Sequence, residues 1–305
     1  MSNCILCPGQ GAQHVGMGKD YADAHPAAKA VYNEANDVLG VDLATFCFEG
    51  PEEQLNQTDI AQPAIFATSI ACHAAAQAAD RLPSDVTSYA GLSLGEYTAL
   101  YLAGCFDFAT GLKLVQARGR YMQEAAVSTP GGMVSLLGVD ENQASDLCER
   151  AAAGEVLVPA NYNCPGQIVC SGAISAVDRL AELAGEQKVR AVKLAVAGAF
   201  HSPLMQPAAD RLADDLAKVD LAAPATPVWA NVTAEPHGND VATIKKLLVQ
   251  QVVEPVRWQQ TIEKLVGDDA AFTELAPGRV LAGLLKKVDR RATMTNLGSA
   301  EALVS

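Results

Sequence analysis

Residues 86–103 read VTSYAGLSLGEYTALYLA, and this stretch decides the fold class. The pattern predicts a strand over its first five residues and a helix from Glu96 to Ala103, joined by a G-x-S-x-G motif centred on Ser93. Small residues on either side of the serine allow a sharp turn that exposes the hydroxyl. The helix that follows directs free N–H groups at a developing oxyanion. We therefore predict an α/β protein with Ser93 as its nucleophile. The alternative is an ordinary strand-to-helix turn, because the bare motif is common.

The middle of the chain is organised differently from its two ends. Between the glycine-containing segments 129–132 and 197–198, the hydrophobic pattern predicts elements in the order β-α-β-β-α-β, which is typical of a ferredoxin-like unit. We therefore predict a ferredoxin-like small domain over residues 127–197. It is expected to be inserted into a discontinuous larger α/β domain formed by residues 1–126 and 198–305.

Charge and hydropathy exclude several classes of function. The chain has 305 residues with 22 basic and 35 acidic side chains, a net charge of −13, which argues against a nucleic-acid partner. No stretch has the 18 or so uncharged apolar residues that a membrane span needs. The N-terminus lacks the features of a secretory signal, so we expect a cytoplasmic protein, or one of the plastid stroma if a transit peptide has been removed.

The eight cysteines do not predict a metal site or disulfides. Cys4 and Cys7 form a C-x-x-C, but they lie in a predicted strand, where positions three apart point to opposite faces. The other six are scattered singly. We expect reduced, buried thiols, no metal and no cofactor.

A nucleophilic serine needs a base, and the chain has five histidines: His14, His25, His73, His201 and His237. His201 lies at a loop edge just before a predicted helix, where catalytic groups are often placed. His14 follows a glycine turn and could line the site, whereas the loop context of His237 predicts a solvated side chain. Any single histidine is more often solvated or structural than catalytic, so the residues alone leave the base open.

Arg118 lies beside the apolar stripe of a predicted helix, 25 positions after Ser93. A buried guanidinium needs an anionic partner. Either Arg118 meets a substrate carboxylate, or it pairs with an internal acid such as Glu96 or Glu124, or its head reaches solvent.

Six motifs in order carry a family resemblance: PGQGAQ at 8–13, GLSLGEY at 91–97, QARG at 116–119 with MQ at 122–123, ANYN at 160–163 with PGQ at 165–167, AFHS at 199–202, and QVVEPVRW at 251–258. Together they closely resemble the malonyl-CoA:acyl carrier protein transacylases, loading enzymes of bacterial-type fatty acid synthesis. The resemblance spans about residues 4 to 285. It implies an α/β-hydrolase-like large domain with a short parallel sheet, carrying a ferredoxin-like insert.

The resemblance also implies roles for single residues. Ser93 is expected to be the nucleophile and His201 its base, and Arg118 to bind the malonyl carboxylate. The N–H groups of Gln10 and Leu94 are expected to form an oxyanion hole. Gln251 is expected to hold the histidine, through its main chain, because the family has no acid as third member of a triad.

The implied reaction moves a malonyl group from malonyl-CoA to the phosphopantetheine thiol of acyl carrier protein through a malonyl-serine ester, and supplies fatty acid elongation. The expected partners are malonyl-CoA and acyl carrier protein, with no membrane and no nucleic acid, and we expect a monomer. Leu92 departs from the family, which most often has histidine there, and we interpret it as a packing position. Phe200 matches the malonyl-selective form of the family.

Three alternatives stay open at this point. The chain could be a discrete loading acyltransferase of a polyketide pathway, an esterase or thioesterase with the same elbow, or a non-catalytic subunit that binds a carrier protein. Acyl carrier proteins are acidic, so docking needs a local basic patch. The candidates are residues 286–291, which read KKVDRR, and a second cluster of Lys188, Arg190 and Lys193, although either could be a solvated face.

Overall fold

The protein is described by a computed structural model that covers residues 2–267 and 270–304. Ten strands are present among these residues: β1 Ser2–Cys7, β2 Val86–Gly91, β3 Gly131–Leu137, β4 Leu157–Cys164, β5 Gln167–Ala173, β6 Arg190–Lys193, β7 Val228–Ala230, β8 Glu235–Pro236, β9 Ala270–Leu275 and β10 Met294–Leu297.

The same residues form thirteen α-helices and two short 3₁₀ helices. The α-helices are α1 Lys19–Ala24, α2 Pro26–Leu39, α3 Leu43–Glu49, α4 Glu52–Leu55, α5 Thr58–Ala78, α6 Gly95–Leu102, α7 Phe108–Ser128, α8 Glu141–Ala152, α9 Ile174–Glu186, α10 Gln206–Lys218, α11 Val241–Val253, α12 Trp258–Gly267 and α13 Val280–Val288. The 3₁₀ helices are Pro203–Met205 and Ala300–Leu303. Within the described ranges, no helix is long and apolar enough to span a bilayer.

The larger sheet has six strands in the order β10-β9-β1-β2-β7-β8. Every neighbouring pair is parallel except β7 with the short β8. The carboxyl ends of parallel strands meet at one edge of a sheet, and ligands of such folds bind there. This edge therefore brings together the turn after β1, the elbow after β2 and the loop after β7.

The smaller sheet is antiparallel, with strand order β4-β5-β3-β6. Along the chain its elements run β3-α8-β4-β5-α9-β6, which is the predicted β-α-β-β-α-β order. The predicted mixed α/β fold with a second sheet is confirmed. The likeness of the larger sheet to the α/β hydrolases and the division at residues 127–197 stay predictions.

Small side chains let the helices of the larger sheet pack closely. Helix α5 is buried along most of its length and is rich in alanine. A Cβ added to Gly119 of α7 would lie 2.6 Å from the carbonyl oxygen of Thr58, at the start of α5. This close approach of α5 and α7 fixes the position of Arg118, the neighbour of Gly119.

The cysteines are all free and buried. Cys4 and Cys7 belong to different apolar clusters, as expected for strand residues that point to opposite faces. Among residues 2–267 and 270–304, no group of three or more His, Cys, Asp or Glu side chains is arranged to hold a metal ion.

Candidate active site

Ser93 occupies a strained turn between β2 and α6. Its φ of 51° is in the left-handed region, which is costly for a residue with a Cβ. A Cβ on Gly91 would lie 1.9 Å from the carbonyl carbon of Gly95, and a Cβ on Gly95 would lie 2.1 Å from the carbonyl oxygen of Cys7. Both glycines of the motif are therefore required by packing, and the turn they allow is the elbow predicted from the sequence.

Asn231, just after β7, clamps this elbow from the neighbouring strand. Its Oδ1 accepts the Ser93 N–H at 2.6 Å, and its Nδ2 donates to the Gly91 carbonyl at 2.7 Å. Side-chain hydrogen bonds to both ends of the turn hold it in its unfavourable conformation. The sequence reasoning missed Asn231, because the contact spans 138 positions and belongs to none of the motifs.

His201 lies against the serine in the orientation that a base requires. Its Nδ1 is 2.7 Å from the main-chain oxygen of Gln251, and its Nε2 is 2.8 Å from Oγ of Ser93. A carbonyl oxygen can only accept, so Nδ1 carries the proton of the neutral ring. Nε2 is then left to accept the proton of the serine hydroxyl, which is the tautomer that general-base catalysis needs.

The carbonyl of Gln251 has no hydrogen-bond partner within helix α11, because the helix ends at Val253. The last four carbonyls of a helix have no partner within it, and the negative end of the helix dipole lies there. The N–H that would take this carbonyl if the helix continued belongs to position 255, which is a proline without an N–H. Glu254 is accordingly extended, with φ −113° and ψ 160°. The helix end thus offers Nδ1 of His201 an acceptor of the kind that an acid offers in a triad.

Burial sets the protonation state of His201. It lowers the pKa of the ring to about 4, the positive charge of Arg118 acts in the same direction, and the hydrogen bond to Gln251 opposes both. The imidazole is therefore neutral through the neutral pH range and able to accept a proton.

Arg118 is 1% exposed and has only neutral hydrogen-bond acceptors. Its Nη1 donates to Oε1 of Gln62 at 2.7 Å, and its Nη2 donates to Oε1 of Gln251 at 2.9 Å and to Oγ of Ser93 at 3.0 Å. No carboxylate of the described residues forms an ion pair with it. Burial lowers the pKa of this guanidinium, as expected for a cation without a partner.

The internal partners considered for Arg118 are therefore wrong, and so is an exposed head. Glu124 lies on the surface and pairs with Arg211, because the two side chains face each other across α7 and α10. Glu96 is bonded to other groups. Among the residues that the structure describes, no anion occupies this buried fork of N–H donors beside the Ser93 hydroxyl, and the fork is suited to a carboxylate brought by a ligand.

Gln10 and Leu94 lie at neighbouring strand ends. Gln10 is in the turn after β1, and Leu94 follows Ser93 at the start of α6. A Cβ on Gly9 would lie 2.2 Å from the carbonyl oxygen of Leu92, so glycine brings the first turn directly against the elbow. Over the described parts of the chain, neither the Gln10 nor the Leu94 N–H donates to an acceptor, which leaves both available to an oxyanion.

His237 is 4% exposed, so the predicted solvated side chain is wrong. Its Nε2 donates to Oε1 of Glu96 at 2.6 Å, and the two side chains form a buried pair behind the elbow. The pairing spans 141 positions and was invisible in the local sequence around either residue. Leu92 is partly buried against an apolar cluster that includes Trp229 and Trp258, in agreement with a packing position.

Comparison with known proteins gives likeness over nearly the whole chain. The acyl transferase domain family matches residues 5–301. A malonyl CoA-acyl carrier protein transacylase of Bacillus subtilis is 41% identical over 290 residues, which are 94% of this chain and 90% of the relative. The solved malonyl CoA-acyl carrier protein transacylase of Coxiella burnetii is 38% identical, with a TM-score of 0.95 over 100% of this chain and 96% of that one. A malonyl-transacylase solved in complex with a type II PKS acyl-carrier protein is 36% identical, with a TM-score of 0.94 over 100% of this chain and 98% of that one.

Proposed function

The chain belongs to the acyl transferase domain family, and we infer that it is an acyltransferase that moves a malonyl group from malonyl-CoA to acyl carrier protein. The resemblance seen in its motifs is thereby confirmed. This activity fits the supply of malonyl units for fatty acid elongation. The roles of single residues in it, a monomeric state and a cytoplasmic location are parts of the proposal.

In the first half-reaction, Oγ of Ser93 attacks the thioester carbonyl of malonyl-CoA while Nε2 of His201 takes the hydroxyl proton. The negative charge that develops on the carbonyl oxygen is received by the N–H groups of Gln10 and Leu94. The tetrahedral intermediate then expels the coenzyme A sulfur, which takes the proton from His201. A malonyl ester on Ser93 remains.

In the second half-reaction, the phosphopantetheine thiol of the carrier protein gives its proton to His201 and attacks the ester. Ser93 leaves as an alkoxide and recovers the proton from the imidazole. The same base therefore serves both half-reactions, and the enzyme returns to its starting protonation state.

One observation supports malonyl over a simple acyl group. Within residues 2–267 and 270–304 the buried guanidinium of Arg118 has no carboxylate partner, and its Nη2 is 3.0 Å from Oγ of Ser93. An acyl chain on this oxygen that carries a free carboxylate two carbons beyond the carbonyl would place that charge next to the fork. An acetyl group has nothing to offer it.

A labelling experiment tests the proposal. The enzyme is incubated with radiolabelled malonyl-CoA, separated from free label, and then chased with buffer or with holo acyl carrier protein. We expect a label that is stable in buffer and moves to the carrier protein. Rapid release of free malonate in buffer would identify a thioesterase, and an unlabelled protein would identify a non-catalytic binding subunit; either result contradicts the proposal.

A polyketide carrier is the second candidate acceptor, because one of the similar structures was solved with a type II PKS acyl-carrier protein. The chase distinguishes the two when both carriers compete at equal concentration. A higher kcat/KM for the polyketide carrier would assign the enzyme to that pathway.

A further inference from the structure

Glu96 is a buried carboxylate that lies one layer behind the site. It is 1% exposed and contacts neither the Ser93 hydroxyl nor Arg118 by a hydrogen bond among the described residues. Its Oε1 accepts from His237, while its Oε2 accepts from Nε2 of Gln251 at 2.5 Å and from the N–H of Asn231 at 3.1 Å. Two of its three partners are the residues that hold the site together.

A carboxylate can only accept, so Glu96 decides which way the Gln251 amide faces. The amide nitrogen must point to Glu96, where it also donates to the Ser93 carbonyl at 3.0 Å. The amide oxygen is thereby directed at Nη2 of Arg118, 2.9 Å away. In the reverse orientation, two N–H donors would face each other at the guanidinium.

The amide also keeps two opposite charges apart. Burial lowers the pKa of Arg118, and Tyr97 and then the negative charge of Glu96 oppose that effect, although no direct ion pair between Glu96 and Arg118 forms among the described residues. A direct pair would occupy the fork and leave little capacity for a ligand carboxylate. With Gln251 between them, Glu96 stabilises the cation, while the fork itself meets neutral acceptors rather than an anion among the described residues.

We propose that Glu96 is a positioning residue that sets malonyl selectivity through Gln251, by fixing the amide that aligns Arg118. This inference rests on the proposed function, because selectivity has meaning only if the enzyme transfers malonyl. Glu96 reaches the nucleophile too, since its other partner, Asn231, accepts the Ser93 N–H. That second route affects all acyl groups alike, whereas the route through Arg118 affects only those with a free carboxylate.

The test is the ratio of kcat/KM for malonyl-CoA to that for acetyl-CoA in single and double variants. Both values come from one preparation, so the ratio is independent of the fraction of active protein. We expect Glu96→Gln, which keeps the shape but removes the charge and the fixed acceptor, to lower the ratio by about tenfold. Gln251→Met, which removes the amide but keeps the main-chain carbonyl, should lower it by a similar factor.

The double variant Glu96→Gln/Gln251→Met decides the route. If Glu96 acts through Gln251, the double variant has the ratio of Gln251→Met alone, because a relay that is already broken cannot be broken again. If the ratio of the double variant falls by the product of the two single-variant losses, the proposal is overturned. An unchanged or raised ratio in Glu96→Gln would overturn it too. If Glu96→Gln does not fold, an unchanged ratio in Gln251→Met alone is enough to reject the proposal.

Glu274 provides the matched control. It is also a fully buried carboxylate, on β9, and accepts from the N–H groups of Leu281 and Ala282 and from Asn296. We expect Glu274→Gln to lower the melting temperature and leave the malonyl-to-acetyl ratio unchanged. A fall in the ratio equal to that of Glu96→Gln would show general loosening of the fold and reject the proposal.

The wild type distinguishes failure of the proposed function from failure of this inference. If the wild type shows no preference for malonyl, the proposed function fails and this inference with it. If the wild type is selective and Glu96→Gln is equally selective, only this inference fails.

Discussion

Nη2 of Arg118 donates to the hydroxyl oxygen of Ser93 across 3.0 Å, on the same oxygen whose proton faces His201 at 2.8 Å. The guanidinium thus occupies a lone pair of the Ser93 hydroxyl oxygen. A malonyl carboxylate in the fork would compete for that N–H donor and release the lone pair for attack. Binding of the correct acyl group and activation of the serine are thereby coupled in the proposed mechanism.

Replacement of Arg118 should separate malonyl from acetyl transfer. We expect Arg118→Ala to cost malonyl transfer about 3–5 kcal/mol, because a buried carboxylate is left unpaired, and to leave acetyl transfer similar or improved. Arg118→Lys is the control that keeps the charge but not the planar fork, and it should recover only part of the loss. The measurement is kcat/KM for both acyl-CoA substrates. Equal losses for both would show that Arg118 is structural.

Two substitutions of Ser93 should have the same effect on catalysis and different effects on stability. Ser93→Ala and Ser93→Gly both remove the hydroxyl, so neither should form the labelled acyl-enzyme, and transfer should fall to below about a thousandth of the wild-type rate. Glycine tolerates a φ of 51°, whereas alanine keeps the strain. We expect Ser93→Gly to be more stable than Ser93→Ala by about 1 kcal/mol, as measured by denaturant unfolding. A less stable glycine variant would argue against strain at the elbow.

The fall of kcat/KM at low pH should report the protonation of His201. A protonated imidazole cannot accept the serine proton, so kcat/KM should stay level as the pH falls and decline only near the pKa of about 4. The charge of Arg118 helps to depress this pKa, so Arg118→Met should move this fall to higher pH. Acetyl-CoA is the substrate to use, because it has no carboxylate that titrates in this range. A fall that does not move in Arg118→Met would contradict the electrostatic coupling.

Charge reversal tests where the carrier protein docks. In the basic cluster at residues 286–291, Lys286 donates to the carbonyls of Arg290 and Ala292 and Lys287 to Gln167. Reversal of both lysines to Glu should raise KM for the carrier and leave the coenzyme A half-reaction unchanged, and added salt should matter less in the variant.

Because the two lysines also hold local structure, Arg290→Glu/Arg291→Glu is the cleaner variant; both arginines are exposed. It should give the same rise in KM without loss of stability. An unchanged KM in both double variants would move the docking site elsewhere, with Lys188, Arg190 and Lys193 next to be tested.

Local sequence was sufficient for the elbow and for the order of elements in the smaller sheet, because both depend on short-range patterns and turn residues. It could not predict what the buried polar groups bond to. The loop around His237 has the composition of a solvated turn, yet the chain folds it onto Glu96, 141 positions away. The side chain of Gln251 likewise meets Glu96, Ser93 and Arg118, none of them near it in the chain. Such networks depend on tertiary packing, which single-sequence patterns do not contain.

The acceptor that faces Nδ1 of His201 is not a side chain. It is a main-chain oxygen at the end of α11, so no exchange of the Gln251 side chain can delete it. Pro255 keeps this oxygen available, because a proline has no N–H that could donate to it, and His201 takes that place. In the proposed mechanism the partner of the base is therefore specified by the end of a helix, and we expect it to be lost on substitution of Pro255 rather than of an acidic residue.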